Sequence, residues 1–260
     1  MNNNITMEST NALFDTCGLP THVLMETAAG ISPVSIETSE LEQGRLYING
    51  EINDELSRKF NMLLQIAAQR GQDLELYINS PGGSVSAGLA MLDAIQAYPY
   101  GIDIYCCGLC ASMAAVLLAG GRKGHRFIMP HSKVMIHEPL IAGGLGGSAT
   151  SIQRTAESIM QTKKVINEML SQFTGKSIEE IDKATAYDNF FTAQEAIEFG
   201  LCDSIATGFE RYGGYSCGYN GGYCGGSGEC EQNIYYGSEW ETVSPPDDGI
   251  PFPDYETTDF

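Results

Sequence analysis

The run Cys106-Cys107-Gly108-Leu109-Cys110-Ala111-Ser112-Met113-Ala114-Ala115 decides how the rest of the chain is read. The β-prone residues Ile102-Asp103-Ile104-Tyr105 lead into it, and small apolar helix formers from Met113 to Ala119 lead out. Ser112 therefore falls where a buried strand turns into a buried helix. A hydroxyl at such a junction has two uses. Serine is among the best helix N-caps, and at most strand-to-helix junctions it is nothing more. The same position lies beside free N–H groups and the positive end of a helix dipole, which favour the negative charge that develops in acyl transfer.

On the amino-terminal side, a strand is expected over 74–79, broken by Ser80-Pro81-Gly82-Gly83, with a helix over 85–97 through Leu89, Leu92 and Ile95. Before it come a short strand over 44–50 and a helix capped by Asn53 or Asp54, with Leu56, Phe60, Leu63, Leu64 and Ala67 at helical spacing. On the carboxyl side, short strands are expected near 126–129 and 133–136, the second ending at His137. A glycine joint over 143–147 opens a long helix capped near Ser148 and ended by Gly175. Its apolar stripe includes Ile152, Ile159, Ile166 and Leu170, and its other face is polar, so it is expected to project toward a partner subunit. Ser177-Ile178-Glu179-Glu180 and Thr192-Ala193-Gln194-Glu195 start two further helices, the second stopping at Gly200, before a last strand over 202–205. Strand and helix alternate, which predicts an α/β fold of βαβ units on a largely parallel sheet.

Three segments follow from composition: an irregular arm over 1–40 with short elements expected around His22-Val23-Leu24-Met25, one domain over 41–206, and a disordered, acidic, Gly/Tyr-rich tail over 207–260, where ten acidic residues face Arg211 alone. The net charge of -19 argues against nucleic acid and membrane surfaces as partners. No run approaches the ~18 apolar residues of a membrane span. Met1-Asn2-Asn3-Asn4-Ile5-Thr6 lacks the basic-then-apolar pattern of a secretory signal. A cytoplasmic protein with reduced cysteines is expected. Cys107-Gly108-Leu109-Cys110 is formally a C-x-x-C, but no second pair follows at zinc spacing, so Cys106, Cys107 and Cys110 are read as core thiols. Cys217, Cys224 and Cys230 lie in the tail without ligand spacing. No metal or cofactor is expected in this chain.

A nucleophilic serine needs a base, a group that orients the base, and donors for the oxyanion. Of the four histidines, His22 lies in the arm, and His125 and His131 flank a short strand in turn-like settings. His137 ends the apolar strand Val134-Met135-Ile136, at the carboxyl edge where open α/β sheets collect their sites. An isolated histidine there is otherwise an ordinary hydrogen-bonded surface residue. Asp188, at another junction, is the candidate orienting acid and Asp203 its competitor, whereas Glu179, Glu180 and Asp182 look like solvated helix faces. Gly82-Gly83 has the form of an oxyanion nest, because N–H groups without side chains can approach a carbonyl closely. Taken alone, Pro81-Gly82-Gly83 reads as an ordinary turn. The Met113 N–H is the natural second donor.

Several blocks together resemble the ClpP serine peptidase family over about 44–206. They are Tyr77-Ile78-Asn79-Ser80-Pro81-Gly82-Gly83-Ser84-Val85, Ala111-Ser112-Met113-Ala114-Ala115, Lys123-Gly124-His125-Arg126-Phe127, Val134-Met135-Ile136-His137-Glu138-Pro139, and Asp188-Asn189-Phe190 followed by Ala196 to Ile205. The resemblance implies Ser112 as nucleophile, His137 as base, Asp188 as orienting acid, and Gly83 and Met113 as oxyanion donors. Peptide would lie beside Gly82, Ser84, Val85 and the 143–147 loop. It further implies the ClpP/crotonase-like spiral of βαβ units with a projecting handle helix. It also implies two stacked seven-membered rings, a closed chamber, and an AAA+ unfoldase that uses ATP and delivers unfolded polypeptide. This chain departs from the pattern in Cys110, where a small alanine is usual, and in Tyr187, where many members carry an arginine. Its arm does not resemble the family's axial loops, and Tyr77, Tyr105 and Phe127 remain of the family's apolar unfoldase dock. The expected function is a serine endopeptidase subunit. The alternatives are a catalytically silent ring subunit, a phage head-maturation protease on the same fold, or a crotonase-like acyl-CoA enzyme. An intact Ser, His and Asp set disfavours the silent subunit and the crotonase-like enzyme.

Overall fold

The computed structural model describes residues 21–27, 30–140 and 146–206. Most of the arm, most of the glycine joint and the whole acidic tail lie outside the described residues. The chain begins with an antiparallel hairpin, β1 (His22–Thr27) and β2 (Gly30–Ser35), and a short helix α1 (Ile36–Glu42). This stretch is more regular than its lack of periodicity suggests. The reason is that Val23, Leu24 and Ile31 are all exposed, so no inside–outside alternation marks the strands.

The domain then alternates as expected: β3 (Arg45–Asn49), α2 (Asp54–Arg70), β4 (Leu74–Ser80), α3 (Val85–Gln96), β5 (Ile102–Ala111) and α4 (Met113–Ala119). Asn53, not Asp54, caps α2, accepting from the Leu56 N–H at 2.9 Å. Strands β3, β4 and β5 are parallel and in register, with Ile48 beside Ile78 and Ile78 beside Cys106. These residues pack beneath the helices, and α4, apolar on every side, is buried along its full length. The other sheet face carries Tyr47, Tyr77, Tyr105 and Phe127, whose rings stack with centroids 5.3, 5.0 and 4.9 Å apart.

Strand β5 runs past the expected Cys106 to Ala111 and changes partners on the way. Its first half pairs with β6 (Arg126–Ile128), and its last residues pair with β7 (Lys133–Ile136). Gly108, with φ 92°, marks the change. Helix α5 (Ala149–Thr174), capped by Ser148 and ended by a left-handed Gly175, buries only Ile166, Asn167 and Leu170. Its amino-terminal half stands clear of the core, as a projecting handle should. The capping boxes at Ser177 and Thr192 open α6 (Ile178–Thr185) and α7 (Ala193–Phe199), with β8 (Asn189–Phe191) between them and β9 (Ser204–Ile205) last. β8 runs antiparallel to β7, and β9 closes the parallel edge beside β6. No described helix is long and apolar enough to cross a membrane.

Arg126 joins the layers. Its guanidinium grips Asp203 at 2.9 and 2.6 Å and also donates to the carbonyls of Ala119 and Phe173, at the ends of α4 and α5. Burial pushes the Asp203 carboxyl up, but the bonds from Arg126 outweigh it and hold the group below its usual range. The pair therefore stabilises the fold above the ordinary carboxylate range, and that contribution is lost as pH falls through the lowered value. Arg126→Met takes away the charge partner of Asp203, which keeps only its backbone bonds from Gly124 and residue 126, and the donor to two helix ends, and is expected to cost about 3–5 kcal/mol in chemical denaturation at neutral pH.

Candidate active site

Strand pairing brings three junctions together. Ser112 follows β5, His137 follows β7 and Asp188 precedes β8. The registers Ala111 to Met135 and Ile136 to Asn189 set them side by side, and the Ser112 N–H bonds the Met135 carbonyl at 2.8 Å. Ser112 occupies the N-cap position of α4, yet its side chain makes no capping bond. Its backbone has φ 55° and ψ -123°, and it is the non-glycine residue with positive φ among those described. A side chain there stores strain of order 1–3 kcal/mol.

The hydroxyl that does not cap lies 2.9 Å from His137 Nε2, and His137 Nδ1 lies 2.9 Å from Asp188 Oδ1. A carboxylate only accepts, so Nδ1 carries the proton and donates to Asp188. Nε2 then accepts from the Ser112 hydroxyl. The imidazole is mostly buried, whereas the Asp188 side chain is 63% exposed.

Gly82 and Gly83 close over this chain of bonds. Ile52 anchors them: its N–H donates to the Gly82 carbonyl and its carbonyl accepts from Ser84 N–H, both at 2.8 Å. Gly82 N–H donates to the Ser80 hydroxyl. These bonds leave the Gly83 N–H without an acceptor among the described residues, and the Met113 N–H, first in α4, is in the same position. A Cβ on Gly82 would lie 2.7 Å from Ser112 Cβ and 3.0 Å from Met113 N; on Gly83 it would collide with the Ile52 carbonyl. Only glycines let this loop reach the serine. The arrangement has a hydroxyl, a base able to take its proton, a carboxylate behind the base, and two free N–H groups beside it.

The Clp protease family model matches residues 33–208. The ATP-dependent Clp protease proteolytic subunit of Ligilactobacillus salivarius (strain UCC118) is 41% identical over 185 residues, covering 70% of this chain and 93% of that protein. The ATP-dependent Clp protease proteolytic subunit 2 of Thermobifida fusca (strain YX) is 38% identical over 193 residues, covering 72% and 94%. This chain belongs to the Clp protease family. It is a serine peptidase, a hydrolase of peptide bonds.

Of the other candidate groups in this Clp protease, Asp203 is engaged by Arg126 and does not approach His137. His125 pairs with Asp103 at 2.6 Å, and His22 faces Thr21. Asp182 accepts from Asn167, and Glu180 closes its capping box. Ser84 caps α3 through Ala87 N–H. Val85 instead walls a small pocket of about 20 Å³ beside Ser112 and His137, together with Val116, Ile136, Pro139 and Leu170. Cys106 and Cys110 are buried, their thiols facing the carbonyls of Lys133 and Ile78. Burial raises the Cys110 thiol, and raises Cys107 to about 11. Sequence reasoning missed Ile52, a single apolar residue between a strand and a helix with no periodicity to mark it, whose full burial only the structure shows.

The strain at Ser112 has a measurable consequence. Ser112→Gly removes the side-chain penalty and adds some unfolded-chain entropy, so the variant is expected to be more stable by about 1 kcal/mol in denaturant titration. A destabilised variant would show that the backbone there is relaxed.

Proposed function

We propose that Ser112, His137 and Asp188 form the catalytic triad, that Gly83 and Met113 supply the oxyanion N–H groups, and that the substrate is unfolded polypeptide. The observation that carries this reading is the continuous bond path from Asp188 through His137 to a serine whose strained backbone withholds its hydroxyl from capping. Ser112 Oγ attacks the scissile carbonyl while His137 Nε2 takes its proton. Asp188 keeps the imidazole in the required tautomer and stabilises the imidazolium. The carbonyl oxygen turns into an oxyanion between the two N–H groups, each worth about 10²–10³ in rate in comparable sites. His137 then passes its proton to the departing amine. Water, deprotonated by the same histidine, hydrolyses the acyl-enzyme and restores Ser112.

The peptide would run extended beside Gly82, Ser84 and Val85. For assembly, the reading is two stacked seven-membered rings in the cytoplasm. It draws support from the long, largely unburied α5 with its exposed Ile152, Met160 and Val165. An AAA+ unfoldase would supply ATP-driven delivery. Of the residues expected at its dock, Tyr77 and Tyr105 are buried and Phe127 half-buried, so the exposed Tyr47 at the end of their stack is what this face offers. The relatives are named ATP-dependent, and ATP would act on that partner, not on this chain.

A fluorophosphonate probe is expected to label the assembled particle at Ser112, and His137→Ala to abolish labelling. Asp188→Asn is expected to lower kcat about 10⁴-fold, since it permits the wrong tautomer. Native mass is expected at fourteen subunits. An assembled but unlabelled wild-type particle would establish a silent ring subunit instead, and a monomer or small trimer would rule out the chamber.

A further inference from the structure

The Asp188 carboxylate is largely exposed, and among the described residues its one side-chain hydrogen bond comes from His137. Its alignment must therefore come through the backbone. On one side of the pair, Ile136 registers with Asn189 across β7 and β8. On the other, the Glu138 N–H donates to the Thr185 carbonyl at 2.8 Å. His137 and Asp188 thus lie within a closed backbone loop, and two side chains of α5 grip the outer edge of that loop. Lys163 Nζ donates to Glu138 Oε2 at 2.7 Å, and Asn167 Nδ2 donates to Asp182 Oδ1 at 2.6 Å. Lys163 and Asn167 are one helical turn apart, on the same face.

We propose that Lys163 and Asn167 of α5 are positioning residues for the catalytic pair, Lys163 holding the segment that carries His137 and Asn167 holding the helix that leads to Asp188. The inference rests on the triad roles assigned above. Two features separate this role from plain stabilisation. The Lys163 and Glu138 side chains are 26% and 41% exposed, a setting in which an ion pair adds little to folding. Asn167 is almost fully buried, and its Oδ1 has no partner among the described residues. A buried amide with an unmet acceptor is destabilising relative to an apolar side chain of similar size, so its single directed bond is what the position provides. A cavity of about 270 Å³ lined by Met160, Lys163, Asn167, Ile178 and Asp182 leaves room for substitution without clash.

The test compares assembled particles of the wild type, Lys163→Met, Glu138→Gln, Asn167→Leu and the charge-swapped double variant Lys163→Glu with Glu138→Lys. The readouts are cleavage of a short fluorogenic peptide, the rate of fluorophosphonate labelling, melting temperature and native mass. Each single variant is expected to lose about tenfold in kcat, within the effect of an ångström-scale misplacement. KM, melting temperature and native mass are expected to hold. The charge-swapped protein is expected to recover most of the Lys163→Met loss, and Asn167→Leu to lose kcat while being as stable as wild type or more so. A kcat within twofold of wild type in Lys163→Met and Asn167→Leu overturns the positioning role and leaves the triad untouched. A kcat loss that follows lost melting temperature or lost particle mass overturns it in favour of a structural role. An unlabelled wild type overturns the triad assignment itself.

Discussion

The space between Gly82 and the turn from Ala111 to Met113 is too small for a single methyl group, and the site is built around that contact. It forces the end of β4 to pass over the end of β5, which is where the pairing of those strands becomes irregular between Ile78 and Ser80. It also explains why Ile52, a residue outside the main strands, is held in a bridge to Gly83: without that bridge nothing would press the loop down. Ser112 answers from the other side with its positive φ. A strained residue persists only where its surroundings over-determine it. Here that surrounding is α4, whose seven residues are all buried. The apolar burial of one helix, worth about 1.5–3 kcal/mol for each large side chain, holds a backbone that no local preference would choose.

The change of partner along β5 has a similar logic. A strand that paired with β6 throughout would carry Ser112 away from β7 and so from His137. By turning at Gly108 toward β7, it places Ala111 beside Met135, and His137 follows two residues later. The antiparallel β8 then brings Asn189 opposite Ile136, so Asp188 arrives from the reverse direction. One face of the sheet thus packs into the main core, the other carries the aromatic stack in which Tyr77 and Tyr105 are buried, and Ser112 and His137 gather at its carboxyl edge.

Much of this was readable in advance wherever the signal is local. The caps at Ser148, Ser177 and Thr192 and the stops at Gly175 and Gly200 are short patterns with their own hydrogen bonds, and each lies where its pattern put it. Ser112, His137 and Asp188 were each picked from a junction, and the three side chains lie in one bond path. What the sequence did not show is what keeps Asp203 away from it, because that depends on a guanidinium 77 residues away in sequence from Asp203. Nor did it show the extension of β5, since Gly108 inside Cys107-Gly108-Leu109 looks like a break and becomes a bend only through its neighbours. The hairpin at 22–35 was expected only as short elements around His22 to Met25, for the opposite reason: with Val23, Leu24 and Ile31 exposed, it has no alternation to detect.

The side chains flanking Asp188 carry the argument furthest. Tyr187 is 85% exposed and uncharged, at the position where the family resemblance leads one to expect an arginine. A cation there would put a positive charge next to the carboxylate in sequence. Without it, the acid has the imidazole in front and solvent around it. Precision must then come from the chain to which it is attached. That chain is fastened at Thr185 to the residue after the base, and at Asp182 to a buried amide on α5. Asp188 and His137 are therefore tied into one backbone loop and are not two independently supported side chains.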